Sequence, residues 1–208
     1  MKNMKIIGTA LALIILIGGA AFAYNKLAPT IGNQQLMTQE QEENAPTKSV
    51  ESSESSEAAE NRGEGTAPEP QPMPDFTVYD EEGKAYALSD FKGKPVILNF
   101  WATWCGYCKV EMPAFQEKYD TYGEDIHFLM INMTDGNRET VEGASSYISK
   151  EGYRFPVYYD ENLEVAMTYQ VTGLPMSFFV DADGYYVAHA QGALDAETLQ
   201  TGIDMLLE

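Results

Sequence analysis

Two cysteines, Cys105 and Cys108, stand three apart in the segment FWATWCGYCK. They are the only two in the chain, too few for a disulfide framework. A pair at this spacing suits metal binding or redox chemistry. As half of a zinc site it lacks a second cysteine pair, and His127 and His189 lie far off, in segments that read as strands. Attachment of c-type haem is excluded, because Lys109 rather than histidine follows Cys108. Thiol–disulfide exchange fits: a thiolate attacks a disulfide, and a neighbouring thiol resolves the mixed disulfide.

That chemistry needs an activated thiol, and the flanking pattern supplies one. PVILNFW is a continuous apolar run with β-branched members, as a central strand buried on both faces requires. KVEMPAFQEKYDTYG reads as a helix, with Val110, Ala114 and Phe115 at helical spacing, Met112 and Tyr119 more loosely so, and Pro113 inside it. Cys105 therefore falls at or just before a helix N-terminus, where free N–H groups and the helix dipole favour an anion. This lowers the thiol pKa. Cys108, one turn in, is the expected resolving thiol. Gly106 is expected to permit a tight turn. Trp101 reads as packing, and Trp104 as a border to the exposed sulfur.

Further strands are expected near 76–79, 85–88, 126–133 and 155–159, and in SFFVD and YYVAHA, which Ala182-Asp183-Gly184 joins as a hairpin. Helices are expected at 138–150 and 163–169, and from an Asp195 cap to Leu207. Strands alternating with helices imply a mostly parallel sheet covered on both faces, made mixed by the closing hairpin.

The 208 residues exceed one such domain, and the excess lies at the N-terminus. Lys2 and Lys5 precede an apolar run over 6–24, and Lys26 follows. Nineteen helical residues would span roughly 28 Å, close to a bilayer core. We read residues 1–28 as a transmembrane anchor with a cytoplasmic N-terminus. Ala21-Phe22-Ala23 leaves open a cleaved signal peptide; both readings export the domain. Residues 29–72 are rich in Glu, Ser, Gln, Pro and Ala and read as a disordered acidic tether. The folded domain spans 73–208. The formal charge of −19 argues against nucleic acid, which demands clustered Lys and Arg.

FWATWCGYCKVEMPAF resembles the active-site segment of TlpA/ResA-like thioredoxin-family proteins, and the preceding DFTVYDEEGKAYALSDFKGKPVILNFWATWC resembles the start that this group shares with peroxiredoxins. The resemblance covers about the last two-thirds of the chain. It implies an α/β thioredoxin fold with a mixed central sheet flanked by helices, an N-terminal β-hairpin and an extra strand–helix insertion. It further implies that Pro175, in VTGLPMSFFVD, is a cis-proline near the cysteines, exposing the Leu174 backbone for pairing with a substrate chain. Met176 departs from the threonine often found there. INMTD places Asp135 where ResA-like members carry an acidic residue, glutamate in their case; it reads equally as a proton carrier for the buried thiol or as a capping residue of TDGN. Asn99 stands where thioredoxins proper have a buried aspartate. Gly106-Tyr107 differs from their Gly-Pro, a dipeptide that tunes redox potential.

The resemblance implies an extracytoplasmic dithiol reductase acting on exported proteins, such as apocytochrome c before haem attachment. A membrane electron donor would serve it, and it would act as a monomer without metal or cofactor. An oxidase or isomerase would use the same atoms. A peroxiredoxin-like peroxidase would need T-x-x-C, and Thr103 is one residue too close to Cys105. A static disulfide in a binding module is the remaining alternative.

Overall fold

The structure, a computed structural model, describes residues 36–38 and 70–208. The expected anchor and most of the expected tether lie outside the described residues. Among the described residues no helix is long and apolar enough to cross a membrane.

The chain opens with a hairpin of β1 (Thr77–Tyr79) and β2 (Ala85–Ala87). Its turn is closed by the Asp80 carboxylate, which accepts from the amides of Glu82 and Lys84 at 3.0 and 2.8 Å. β2 ends one residue short of the expected 85–88, because Leu88 begins a 3-10 turn, Leu88–Phe91, that drives Leu88 and Phe91 into the core. Then follow β3 (Val96–Trp101), α1 (Gly106–Tyr122), β4 (His127–Asn132), α2 (Val141–Glu151), β5 (Val157–Tyr159), α3 (Glu164–Thr168), β6 (Met176–Val180), β7 (Tyr186–Gln191) and α4 (Ala196–Leu207).

The seven strands form one sheet in the order β2-β1-β5-β4-β3-β6-β7. β3 pairs parallel to β4, and β4 parallel to β5; every other neighbour is antiparallel. The sheet is mixed, as expected, and two strand–helix units, β4–α2 and β5–α3, lie between α1 and Pro175.

All six residues of β3 are buried, and the two-residue period of a strand splits them between two cores. Ile97 and Trp101 face a cluster with Met112 and Phe115 of α1, Ala144 of α2, and Leu199 and Ile203 of α4. Val96, Leu98 and Phe100 face the other, with Phe76, Leu88, Phe91, and Val165 and Ala166 of α3.

Two expectations change. Val110 is 67 % exposed. The buried face of α1 is instead Cys108, Glu111, Met112 and Phe115, the i, i+3, i+4, i+7 stripe that starts from the second cysteine. The helix expected from 138 starts at Val141, because Thr140 is in an extended conformation and its hydroxyl accepts from the Gly143 amide. Asp195 does cap α4, accepting from the Thr198 amide at 2.8 Å.

Part of the stretch read as tether has a fixed place. Met37 exchanges backbone hydrogen bonds with His189 of β7, at 2.7 and 2.8 Å. The Tyr186 hydroxyl also donates to the Met37 carbonyl at 2.7 Å. Leu36 is buried in the first core. Further along the same strand, Tyr186 donates its amide to Gln71 and Pro72 bridges to Tyr185.

Gly202 marks where α4 presses on the sheet: a Cβ there would run into the Phe179 ring of β6. Gly202→Ala is expected to destabilise the domain by about 1–3 kcal/mol through overpacking, despite the better helix propensity of alanine. Urea unfolding checks this, and a stability equal to or above the parent's would refute the close contact.

Candidate functional site

The site forms where β3 gives way to α1. β3 ends at Trp101, and the Cys105 amide then donates to the Ala102 carbonyl at 3.1 Å, tightening the chain into a turn. Cys105 is the N-cap of α1, in an extended conformation, and its sulfur accepts from the Cys108 amide at 3.1 Å. The two cysteines are joined as a disulfide, with Cα atoms 5.3 Å apart. Cys105 retains a small exposure of 6 %, whereas Cys108 has none. The first turn of α1 carries no acidic side chain to oppose an anion.

Gly106 was expected to permit a tight turn. It is instead the first residue of α1, with no positive φ and open space where a Cβ would sit. The turn itself is made by residues 102–105, so glycine is not required there by sterics. Tyr107 projects outward at 68 % exposure and Trp104 at 44 %.

The Leu174–Pro175 bond is cis. β6 starts immediately after it, with Met176 paired to Phe100. Extending that register by one residue sets Pro175 opposite Trp101, at the end of β3 from which the chain runs to Cys105. Pro175 is buried, and its carbonyl accepts from the Gly192 amide at 2.8 Å. Leu174 packs against both cores, yet among the described residues its amide and carbonyl have no backbone partner.

Asp135 stands in the loop ahead of α2. It is exposed, and one carboxylate oxygen accepts the amides of Asn137, Arg138 and Glu139 at 2.8, 2.8 and 2.9 Å. The Glu139 amide foremost, then that of Asn137, holds its carboxyl below the usual range. That geometry belongs to a capping residue. A proton carrier at neutral pH needs the opposite shift.

Two buried carboxylates that hold the redox turn escaped the sequence reading. Glu111 is 1 % exposed on the inner face of α1, three residues past Cys108. One of its oxygens accepts from the Asn99 side-chain amide at 2.8 Å and the other from the Leu194 backbone amide at 2.8 Å. Asn99 also donates to the Ser177 hydroxyl at 2.9 Å, and its own carbonyl oxygen has no partner among the described residues. Burial pushes the Glu111 carboxyl up to about 8, against the opposing pull of the Leu194 and Asn99 hydrogen bonds. The acid missing from position 99 is thus supplied from α1. The signal was an acidic residue on the helix stripe that begins at Cys108.

Glu139 is also 1 % exposed. It accepts from the Thr103 amide at 2.8 Å, the Thr103 hydroxyl at 2.6 Å and the Asn132 side chain at 2.7 Å. It thereby fixes the residue two before Cys105. No local pattern announces this contact, which spans 36 positions. Among the described residues no group of three or more His, Cys, Asp or Glu is placed to hold a metal ion.

The Glu111 shift has a definite sign in stability. Unfolded, the carboxyl titrates near its ordinary 4.5; folded, near about 8. The folded chain holds the proton more tightly, so this stabilisation is complete below about pH 4.5 and is lost as pH rises through about 8. Glu111→Gln stays neutral throughout. The stability of the parent relative to Glu111→Gln is therefore expected to fall by on the order of a few kcal/mol across that window. Urea unfolding of the oxidised proteins at a series of pH values measures it; a difference that rises with pH would mean that Glu111 is ionised in the fold.

Comparison with known proteins agrees with this geometry. Residues 70–189 match the family model described as the AhpC/TSA family. The thiol-disulfide oxidoreductase ResA of Bacillus thuringiensis subsp. konkukian is 39 % identical over 127 residues, 61 % of this chain and 72 % of that protein. Among solved structures, a thioredoxin-family thiol:disulfide interchange protein of Chlorobium tepidum is similar with a TM-score of 0.60 and 26 % identity, over 69 % of this chain and all of that one. The exposed lipoprotein thioredoxin of Streptococcus pneumoniae is similar with a TM-score of 0.55 and 31 % identity, over 63 % of this chain and 99 % of that one. The fold is the thioredoxin fold, and the chain belongs to the AhpC/TSA family as a ResA-like thiol-disulfide oxidoreductase.

Proposed function

We propose that this oxidoreductase works as an extracytoplasmic reductase of disulfides in exported proteins, with Cys105 as nucleophile and Cys108 as resolving thiol. The observation that carries the assignment is the position of Cys105: it caps α1, its sulfur already accepts the Cys108 amide, and it is the more exposed of the two. A thiolate there gains from the helix N-terminus.

In the reduced protein the Cys105 thiolate attacks one sulfur of a substrate disulfide. A Cys105–substrate bond forms, and the first substrate thiolate leaves. Cys108 then loses its proton and attacks the Cys105 sulfur. This closes the Cys105–Cys108 disulfide and releases the second substrate thiolate. The substrate gains two electrons and takes up two protons. The departing substrate thiolate suits uptake of the Cys108 proton, since the Glu111 carboxyl, with its pKa raised to about 8, is itself largely protonated at neutral pH. The backbone of Leu174, without a backbone partner among the described residues and beside cis-Pro175, suits alignment of an extended substrate chain. Trp104 and Tyr107 border the disulfide as exposed apolar contacts.

Placement outside the membrane rests on the apolar run over 6–24 with its flanking lysines. The similar pneumococcal protein is described as an exposed lipoprotein. Apocytochrome c is one substrate of the expected kind, and a membrane dithiol donor would restore the reduced state of what we take to be a monomer. The peroxidase alternative loses ground because the Thr103 hydroxyl is committed to Glu139.

The reduction potential of the full chain in detergent tests the direction of electron flow. A reductase is expected near the thioredoxin value of about −270 mV, and a value near about −120 mV, where strongly oxidising catalysts lie, would overturn it. Cys105→Ser should abolish disulfide reduction. Cys108→Ser should accumulate mixed disulfides through Cys105; their absence would show that the roles are wrongly assigned.

A further inference from the structure

The rim of the site on the α2 side has an unusual make-up for this chain. Arg138 lies with its guanidinium carbon 4.1 Å from the centroid of the Trp104 ring. Lys109, next to Cys108, holds its ammonium 4.8 Å from the centroid of Tyr147 on α2. The two ion pairs found among the described residues, Lys118–Glu117 and Arg154–Asp120, involve neither cation. Both stand on aromatic faces and remain exposed. Beside them, at successive spacings of three, Trp104, Tyr107 and Val110 are 44, 68 and 67 % exposed.

The placement of Arg138 is built into the fold. Asp135 gathers the amides of residues 137–139 on one oxygen, and the Gly136 amide donates to the Glu139 carbonyl at 2.9 Å. Glu139 then bolts the loop to Thr103, the neighbour of Trp104. The cation and its indole are therefore fixed from both sides of the contact. The carboxylates of Glu111 and Glu139 are buried and hydrogen-bonded inside, and Asp135, whose charge couples with Arg138, directs one oxygen onto its own turn. A chain of formal charge −19 thus presents cations and bare apolar groups beside its redox sulfur.

We propose that Trp104, Arg138, Lys109, Tyr107 and Val110 form a docking rim for an extended partner segment that carries an apolar side chain and acidic residues beside its cysteine. The apolar side chain covers Trp104 and Tyr107, while the acidic groups meet Arg138 and Lys109. Opposite charge draws such a segment in and orients it, and an acidic chain otherwise repels it. The assignment rests on Cys105 being the attacking thiol.

The test uses the reduced full chain in detergent and two disulfide-bonded peptides, identical except that glutamate or lysine flanks an apolar residue beside the cysteine. The glutamate peptide is expected to be reduced roughly 3- to 10-fold faster at low salt, and the ratio to shrink as salt rises. Arg138→Glu and Lys109→Glu should each pull the ratio towards one, and Arg138→Lys should preserve most of it. Equal rates for the two peptides, or a ratio indifferent to salt and to both charge reversals, would overturn the rim. Failure to reduce either peptide, together with failure on a small neutral disulfide, would instead overturn the proposed function beneath it.

Discussion

One hydrogen bond holds two demands together: the Cys108 amide donating to the Cys105 sulfur. A helix must satisfy its first amides, and a redox cysteine must have its anion stabilised. At the junction of β3 and α1 the same atom meets both needs. The sheet makes this possible, because β3, buried on both faces, can end only where its last side chain, Trp101, is still covered. The next residue to cap a helix then falls at 105, and the one-turn spacing to Cys108 follows.

Around that junction a small polar network crosses the core. Asn99 on β3, Ser177 on β6, Glu111 on α1 and the Leu194 amide ahead of α4 are joined by hydrogen bonds of 2.8–2.9 Å. Buried polar groups are costly unless paired, so each of these elements is held in register by the others. Glu139 plays the corresponding part on the opposite side, gripping Thr103 and Asn132. The redox turn is thus anchored from two directions by carboxylates that never reach the surface.

Much of this was legible from the chain, and the parts that were not share a cause. PVILNFW announces a doubly buried strand because its apolar side chains show no alternation. Asp195 announces a cap because its side chain bonds locally. The cis bond before Pro175 came through resemblance, since a lone proline in a loop has several uses. Glu111 was missed because which face of α1 turns inward depends on α4 and β6, not on the helix's own sequence. With Val110 taken as inward, the stripe was rotated. Asp135 stands out in the sequence and Glu139 does not, although both are acidic and four residues apart; only the fold decides which one closes a turn and which reaches across to Thr103.

The outer strands bear on how this domain meets other chains. β2 has three residues, too short to template a long ladder. On β7, Tyr186 and His189 have their backbone groups matched by Gln71 and Met37 of the same chain. An open strand invites uncontrolled addition of foreign backbone, as in aggregation or swapping. Here both flanks of the sheet are blunted, one by brevity and one by the protein's own N-terminal segments. Strand-to-strand association is thereby discouraged at the margins, and a visiting polypeptide is left to meet the domain at its redox end.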